Sequence, residues 1–275
     1  MIPLLQRPSP SMRTSMPGGG AGRVLIGLLL VLWFTLPMVP VALWAVAGRW
    51  HAPAILPQTY SWEGWSAAAS SGLFPALLAS ALLGAGVAVL ATPLGFLAAV
   101  SIRRLPRRYA RPVEGILLAP LAIPPFALVM GMNVVLLRAH VPAAGGVLLL
   151  LVVTALPYTV FMFRSALAGY DDRFEEAARS LGASKAQSIR HVRLPLLTAA
   201  TSRAAFLAFL VGWGDYIVTL IVGGGQLRTL PMTLASAASA TGNEQLTAVL
   251  SLTVVLPPLA LLTALLLTRR HGRIR

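Results

Sequence analysis

Six long apolar runs constrain this chain more than any other feature: Val24–Ala47, Leu73–Val100, Val113–Leu137, Gly146–Leu167, Leu197–Val222 and Leu246–Thr268. A hydrocarbon layer about 30 Å thick is crossed by about 20 apolar residues in a helix. In lipid only helices and closed barrels satisfy every backbone N–H and C=O. The runs are continuous and long, where barrel strands would alternate over about ten residues, so they are expected to be helices. Composition agrees. Hydrophobic residues make up 57% and charged residues 11%, against about 25% charged in soluble domains. That excludes a soluble globular enzyme, and so apolar a chain cannot stay solvated as a disordered one. There is no cysteine, which removes disulfides, thiolate metal sites and cysteine nucleophiles. The expected fold is an all-α integral membrane protein with six transmembrane helices.

Basic residues set its orientation. With both termini and the second and fourth loops on the cytoplasmic side, 19 of the 22 Lys and Arg residues lie there, and only Arg49, Arg138 and Arg228 lie outside. This positive-inside bias favours an even number of spans with both ends cytoplasmic. The formal charge of +14 is then a topology signal. It does not indicate nucleic acid as a partner, because the arginines sit in short loops beside the membrane and not on one soluble face.

The tail 1–23, rich in Pro, Ser and Gly, is expected to be disordered, and 269–275 to be a basic cytoplasmic tail. Ala45-Val46-Ala47 has the small residues of a signal cleavage site. The apolar run before it is too long for a signal peptide, so 24–47 reads as an uncleaved first helix. Trp50, Tyr60, Trp62 and Trp65 in the first outside loop are expected to form an interfacial aromatic belt.

The segment 171–195 reads DDRFEEAARSLGASKAQSIRHVRLP. Phe174, Ala177, Ala178 and Leu181 share one face of a short helix. Asp171, Asp172, Glu175 and Glu176 gather at its positive end. Gly182 supplies a backbone conformation cheap only for glycine. Ser184 can cap a second short helix carrying Ala186, Ile189 and Val192, which Pro195 ends. The bland interpretation is an amphipathic hairpin resting on lipid headgroups. The functional one is a knob that docks in a groove of a cytoplasmic partner.

The spacing Glu176-Ala177-Ala178, three residues, Gly182, nine residues, Val192, one residue, Leu194-Pro195 resembles the EAA motif of ABC importer permeases of the MetI-like, type I kind. Val192 stands where that family has Ile. The motif lies between the fourth and fifth spans, as in the family. The resemblance implies a five-helix core within 70–268, preceded by one further helix. It implies that 171–195 couples to a separate cytoplasmic ABC ATPase dimer through Glu176, Ala177, Ala178, Gly182, Val192, Leu194 and Pro195. It also implies a second permease subunit, a different chain of the same family, and an extracytoplasmic solute-binding protein, in a bacterial inner membrane. ATP-driven closure of the ATPase would push two such loops together and open the pathway outward. No cofactor and no metal are implied.

The only lysine, Lys185, lies in Gly182-Ala183-Ser184-Lys185, which does not fit the Gly-x-x-x-x-Gly-Lys-Ser/Thr loop that cradles phosphates. The chain is therefore expected to borrow its energy from a partner. Arg173, Arg179, Lys185, Arg190 and Arg193 read as solvated or lipid-facing charges, with pairing to acids on that partner as the alternative.

Within the spans, Asp215 in Gly212-Trp213-Gly214-Asp215-Tyr216 stands out, because an intramembrane carboxylate is a functional candidate. Two readings stand: a pathway or gate residue, or a water-facing acid near a helix end. Trp213, Tyr216, Asn133, Tyr158, Thr154 and Thr219 are further pathway candidates, each with the alternative of a helix–helix hydrogen bond. Pro93, Pro124, Pro125 and Pro157 are expected to kink their helices. Ile123-Pro124-Pro125-Phe126, Leu156-Pro157-Tyr158 and Gly223-Gly224-Gly225 before Thr229-Leu230-Pro231 look most like the branch importing polyamines, thiamine, ferric iron or aminoethylphosphonate. Two other classes fare worse. An intramembrane protease needs Ser and His facing each other in the membrane, but all four histidines fall in loops or tails. A channel or lone carrier would not need 171–195, and neither a filter motif nor an internal repeat appears.

Overall fold

The computed structural model describes residues 19–51 and 53–271. Most of the two expected tails, 1–23 and 269–275, lies outside the described residues, although helix already begins at Gly19 and runs to His271. The chain forms α1 (Gly19–Thr35), α2 (Met38–Trp44), a two-stranded antiparallel hairpin of β1 (Ala47–Arg49) and β2 (Thr59–Tyr60), α3 (Glu63–Ser70), α4 (Leu73–Arg104), α5 (Arg107–Ala122), α6 (Pro125–Arg138) and α7 (Ala143–Ala168). Next come α8 (Arg173–Ser180), α9 (Lys185–Ser188), a π-helical turn (Ile189–Arg193), α10 (Leu194–Leu196), α11 (Thr198–Trp213), α12 (Ile217–Ile221), α13 (Leu230–Ala238) and α14 (Glu244–His271).

Among the described residues four segments are long and apolar enough to cross a membrane: Val24–Trp44, which contains a turn at 36–37 between α1 and α2, Leu73–Arg104, Ala143–Ala168 and Glu244–Leu267. Counting bent pairs as spans raises the total to six. Two of the six expected spans are broken, one of them at Pro124 and Pro125, where a kink is expected. The third run is broken between α5 and α6, which meet at 105°. Two successive prolines remove two N–H donors, and each pushes the residue before it out of helix. Ile123 (ψ 131°) and Pro124 (ψ 127°) are accordingly extended. The fifth run stops at Trp213 and restarts at Ile217, with Gly214, Asp215 and Tyr216 between. A further bend of 72° separates the segment ending at Leu196 from α11. Pro93 and Pro157, by contrast, sit inside continuous helices. The first run ends sooner than expected, because Ala47 belongs to β1.

The centre is a bundle of α4, α7 and α11. Lipid is as apolar as leucine, so these helices associate through close packing of small residues rather than through escape from water. The buried face of α4 repeats Ala76, Ser80, Gly84, Val87, Ala91, Gly95 and Ala99. That of α11 repeats Ala200, Ala204, Ala208 and Gly212. A Cβ on Gly212 would come within 2.8 Å of the Gly84 Cα, and one on Gly95 within 2.1 Å of the Thr159 Oγ1. Larger neighbours fill the space between: Val87, Leu150, Leu151, Val160 and Phe163 are buried.

Around the bundle, α14 packs on α2, α3 and α13. Its Pro258 has no N–H to offer the carbonyl four residues back, at Val254. The buried Trp213 indole fills that vacancy, its Nε1 donating to the Val254 oxygen at 2.9 Å. Side chains of α1 from Val24 to Phe34 are exposed, as suits a lipid-facing helix. The first outside loop is a folded unit that sequence reading missed. Trp44 and Trp50 lie 4.9 Å apart, and the Gln245 Nε2 of α14 donates to the Ser61 carbonyl oxygen at 2.9 Å.

Candidate functional site

Two places carry functional geometry. One is a cavity of about 490 Å³ where both broken spans meet. Pro120, Ile123 and Pro125 come from the break in the third span, Thr154 and Tyr158 from α7, and Gly214, Asp215 and Tyr216 from the break in the fifth. Non-helical backbone at membrane depth is tolerated only where it is buried in protein or lines a cavity. Here both interruptions do the latter. Asp215 is held in place by its own chain. Its Oδ1 accepts from the Val218 N–H at 3.2 Å, and its Oδ2 accepts from the Thr219 N–H and hydroxyl, each at 2.8 Å. The carboxylate thus caps the free N–H groups of α12, where a negative charge also meets the positive end of the helix dipole. The pathway candidates therefore separate. Asp215, Tyr216, Tyr158 and Thr154 line the cavity. Thr219 is buried behind Asp215. Trp213 braces α14 as described, and Asn133, on α6, lies outside the lining. Among the described residues, no three His, Asp or Glu side chains are grouped so as to hold a metal ion.

The second place is the hairpin 171–195. α8 carries two acids in its first turn, Glu175 and Glu176, and ends in a Schellman motif. The Gly182 N–H donates to the Arg179 carbonyl at 3.0 Å and the Ala183 N–H to the Ala178 carbonyl at 3.1 Å. Gly182 has φ +91°, and a Cβ on it would meet nothing within 4 Å. Glycine is required there by the left-handed backbone and not by crowding. Ser184 and Gln187 then form a reciprocal capping box that starts α9. Two rigid caps back to back make a tight turn, and at its tip Leu181 is 89% exposed; Phe174, in the first turn of α8 at the other end of that helix, is 57% exposed. Glu176, Ala177, Leu194 and Pro195 are exposed, while Ala178 and Val192 are half-buried and line a groove between the two limbs. Just before Pro195 the chain takes a π-helical turn, in which the Leu194 N–H reaches the Ile189 carbonyl.

Sequence reading missed the group at the base of this hairpin. Arg193 was expected among solvated charges, but it is 9% exposed. Its Nε and Nη2 donate to the two Glu175 oxygens at 2.5 and 2.9 Å. The Tyr170 hydroxyl donates to the same carboxylate at 2.8 Å. Burial opposes the charge on Glu175, but the hydrogen bonds from Arg193 and Tyr170 and the charges of Arg193 and Arg103 outweigh it, and the carboxyl titrates below its ordinary range. Burial first, then the bond to Glu175, pushes the Tyr170 phenol up to about 12. Arg103, in the last turn of α4, pairs with Asp172 at 2.5 Å. A similar ion pair joins Glu114 on α5 to Arg164 on α7. A pair of adjacent acids at 175 and 176 was the only sequence signal, and it did not tell which of them faces inward.

With this geometry in hand, comparison with known proteins places the chain. The family model described as binding-protein-dependent transport system inner membrane component matches residues 91–275, well over half of the sequence. The chain belongs to this family. The permease is 28% identical over 219 residues to the spermidine/putrescine transport system permease protein PotC of Haemophilus influenzae, covering 77% of this chain and 85% of that protein. It is 26% identical over 260 residues to the putative 2-aminoethylphosphonate transport system permease protein PhnV of Salmonella typhimurium, covering 94% and 96%. To PotC of Escherichia coli K12 it is 28% identical over 183 residues, 66% of this chain and 69% of that one. The permease is thus an α-helical, multi-pass protein of the bacterial inner membrane and a subunit of an ABC importer.

Proposed function

We propose that the permease forms one half of a solute pathway within 70–268 and receives its mechanical drive through the hairpin 171–195, which seats in a separate cytoplasmic ATPase. The observation that carries this reading is the exposed tip of the hairpin. Leu181 stands on a turn fixed by two caps and lies outside the long apolar spans. An apolar ridge held so firmly in water gains little from solvent and much from a matching groove. Glu176, Ala177, Ala178 and Gly182 form the inserted edge, and Val192, Leu194 and Pro195 join it to the bend before α11. The chain hydrolyses no ATP of its own. A second permease subunit, a different chain of the same family, closes the other side of the cavity lined by Tyr158, Asp215 and Tyr216, and an extracytoplasmic binding protein delivers the solute.

The solute is a small amine. The relatives named above serve spermidine and putrescine or 2-aminoethylphosphonate, and both kinds of compound carry a primary ammonium group. One carboxylate and two phenols in the cavity wall suit such a cation. Thiamine and ferric iron, the other solutes of the branch that the sequence resembles, would be served by the same wall less directly. The test is reconstitution in vesicles with the ATPase and binding protein. Glu176→Lys and Gly182→Val are expected to release the ATPase or to cut uptake about tenfold or more. Wild-type association and uptake in both would contradict the reading. Asp215→Asn is expected to change the uptake rate while assembly stays intact.

A further inference from the structure

The base of the hairpin joins four elements that are distant in sequence. Tyr170 follows the end of α7, Glu175 lies in the first turn of α8, Arg193 closes the π-helical turn, and Arg103 ends α4. The Glu175 carboxylate accepts three hydrogen bonds, two from Arg193 and one from Tyr170. The Arg193 and Arg103 guanidinium carbons lie 5.9 and 6.0 Å from the centre of the Tyr170 ring, one cation on each contact. Arg103 in turn holds Asp172. The Glu175 and Arg193 side chains are only 14% and 10% exposed. The pair is therefore largely out of water, where a bidentate Arg–carboxylate contact resists separation far better than at a surface.

We propose that this cluster is a latch that makes the hairpin and the cytoplasmic ends of α4 and α7 move as one body, so that Glu175, Arg193 and Tyr170 are positioning residues for transport. The inference rests on the reading of the hairpin as the seat of the ATPase. Without the latch, the covalent links of the hairpin to the membrane bundle are the chain at 169–172 and the bend at Leu197. A push on the tip would then swing the hairpin. With the latch, the push travels along α7, which carries Thr154 and Tyr158 of the cavity wall, and along α4, packed against both α7 and α11. Glu176, one residue along and turned by about 100° on the helix, faces outward, so adjacent acids divide the work of docking and latching.

The test uses the whole importer in vesicles, with ATP hydrolysis, solute uptake and retention of the ATPase measured on the same preparations. Glu175→Gln keeps the shape of the side chain and removes its charge. Tyr170→Phe keeps the ring and removes one hydrogen bond, and Arg193→Lys keeps the charge but not the two-point contact. The expected result is a retained ATPase that still hydrolyses ATP while solute moved per ATP falls about tenfold or more in Glu175→Gln, with smaller falls in the other two. If Glu175→Gln does not accumulate, the milder variants carry the same expectation. Unchanged solute per ATP with the ATPase retained would overturn the latch. So would loss of the ATPase from these variants, which would make Glu175 part of the docking surface. Failure of Leu181→Cys to cross-link to the ATPase in the otherwise unaltered permease would instead overturn the reading on which the latch rests.

Discussion

At the scale of single residues, several polar groups in this permease answer a vacancy left by the backbone. Trp213 takes the Val254 carbonyl that Pro258 cannot use, and Asp215 takes N–H groups that α12 cannot satisfy internally. Trp213→Phe should therefore leave a buried carbonyl unpaired, at a cost of about 1–3 kcal/mol. A lower unfolding temperature in detergent, without a change in solute preference, is the expected outcome. Glu175 titrates below its ordinary value near 4.5. Its contribution is then present above pH 4.5 and lost as pH falls through the lower, folded value. Protection of 173–193 from hydrogen exchange, taken relative to the intrinsic rate at each pH, should be high at pH 5 and fall once the pH drops well below 4.5, and Glu175→Gln should be poorly protected at both. The residue scale was the least legible in the sequence. Asp215 was visible because acids are rare in apolar runs, but its capping role depends on a helix break that composition does not reveal. Arg193 could not be told from its solvated neighbours, because the choice depends on a π-helical turn that rotates it inward.

At the scale of elements, small residues and prolines decide what packs and what breaks. The four-residue repeats of Ala, Ser and Gly on α4 and α11 set how closely these helices approach. Gly212→Leu should force the helices apart, because even a Cβ would stand 2.8 Å from Gly84. A loss of folded protein in the membrane is expected, whereas Gly115→Ala, in open space, should be tolerated. The apolar runs made the spans legible to within a few residues at Leu73, Gly146 and Leu246. Pro124 and Pro125 marked one interruption in advance, whereas the break at Gly214-Asp215-Tyr216 stayed hidden, because three residues hardly lower the apolarity of the whole run. Single prolines did not interrupt their helices. Pro93 and Pro157 remain in helix because neighbouring helices hold the segments on both sides, whereas the consecutive Pro124 and Pro125 leave no helical choice. The turn of the hairpin was the most legible feature, because Gly182 and Ser184 act locally and need no tertiary partner, whereas the second limb runs through Pro195 to Leu196 rather than ending there as expected.

At the scale of the whole molecule, the three-helix bundle links a cavity walled by two broken spans to a hairpin with an exposed tip. The family match and the resemblance of the 171–195 motif agree on an importer subunit. The proposed mechanism requires that the hairpin sit in the ATPase and follow its nucleotide cycle. The natural chain lacks cysteine, so Leu181→Cys gives a single reporter at the tip. Cross-linking from that residue in the assembled importer, with and without ATP, is the most direct measurement. A strong cross-link to the ATPase is expected, with a yield that changes when ATP closes the ATPase dimer. Active solute uptake with no cross-link in either state would contradict it.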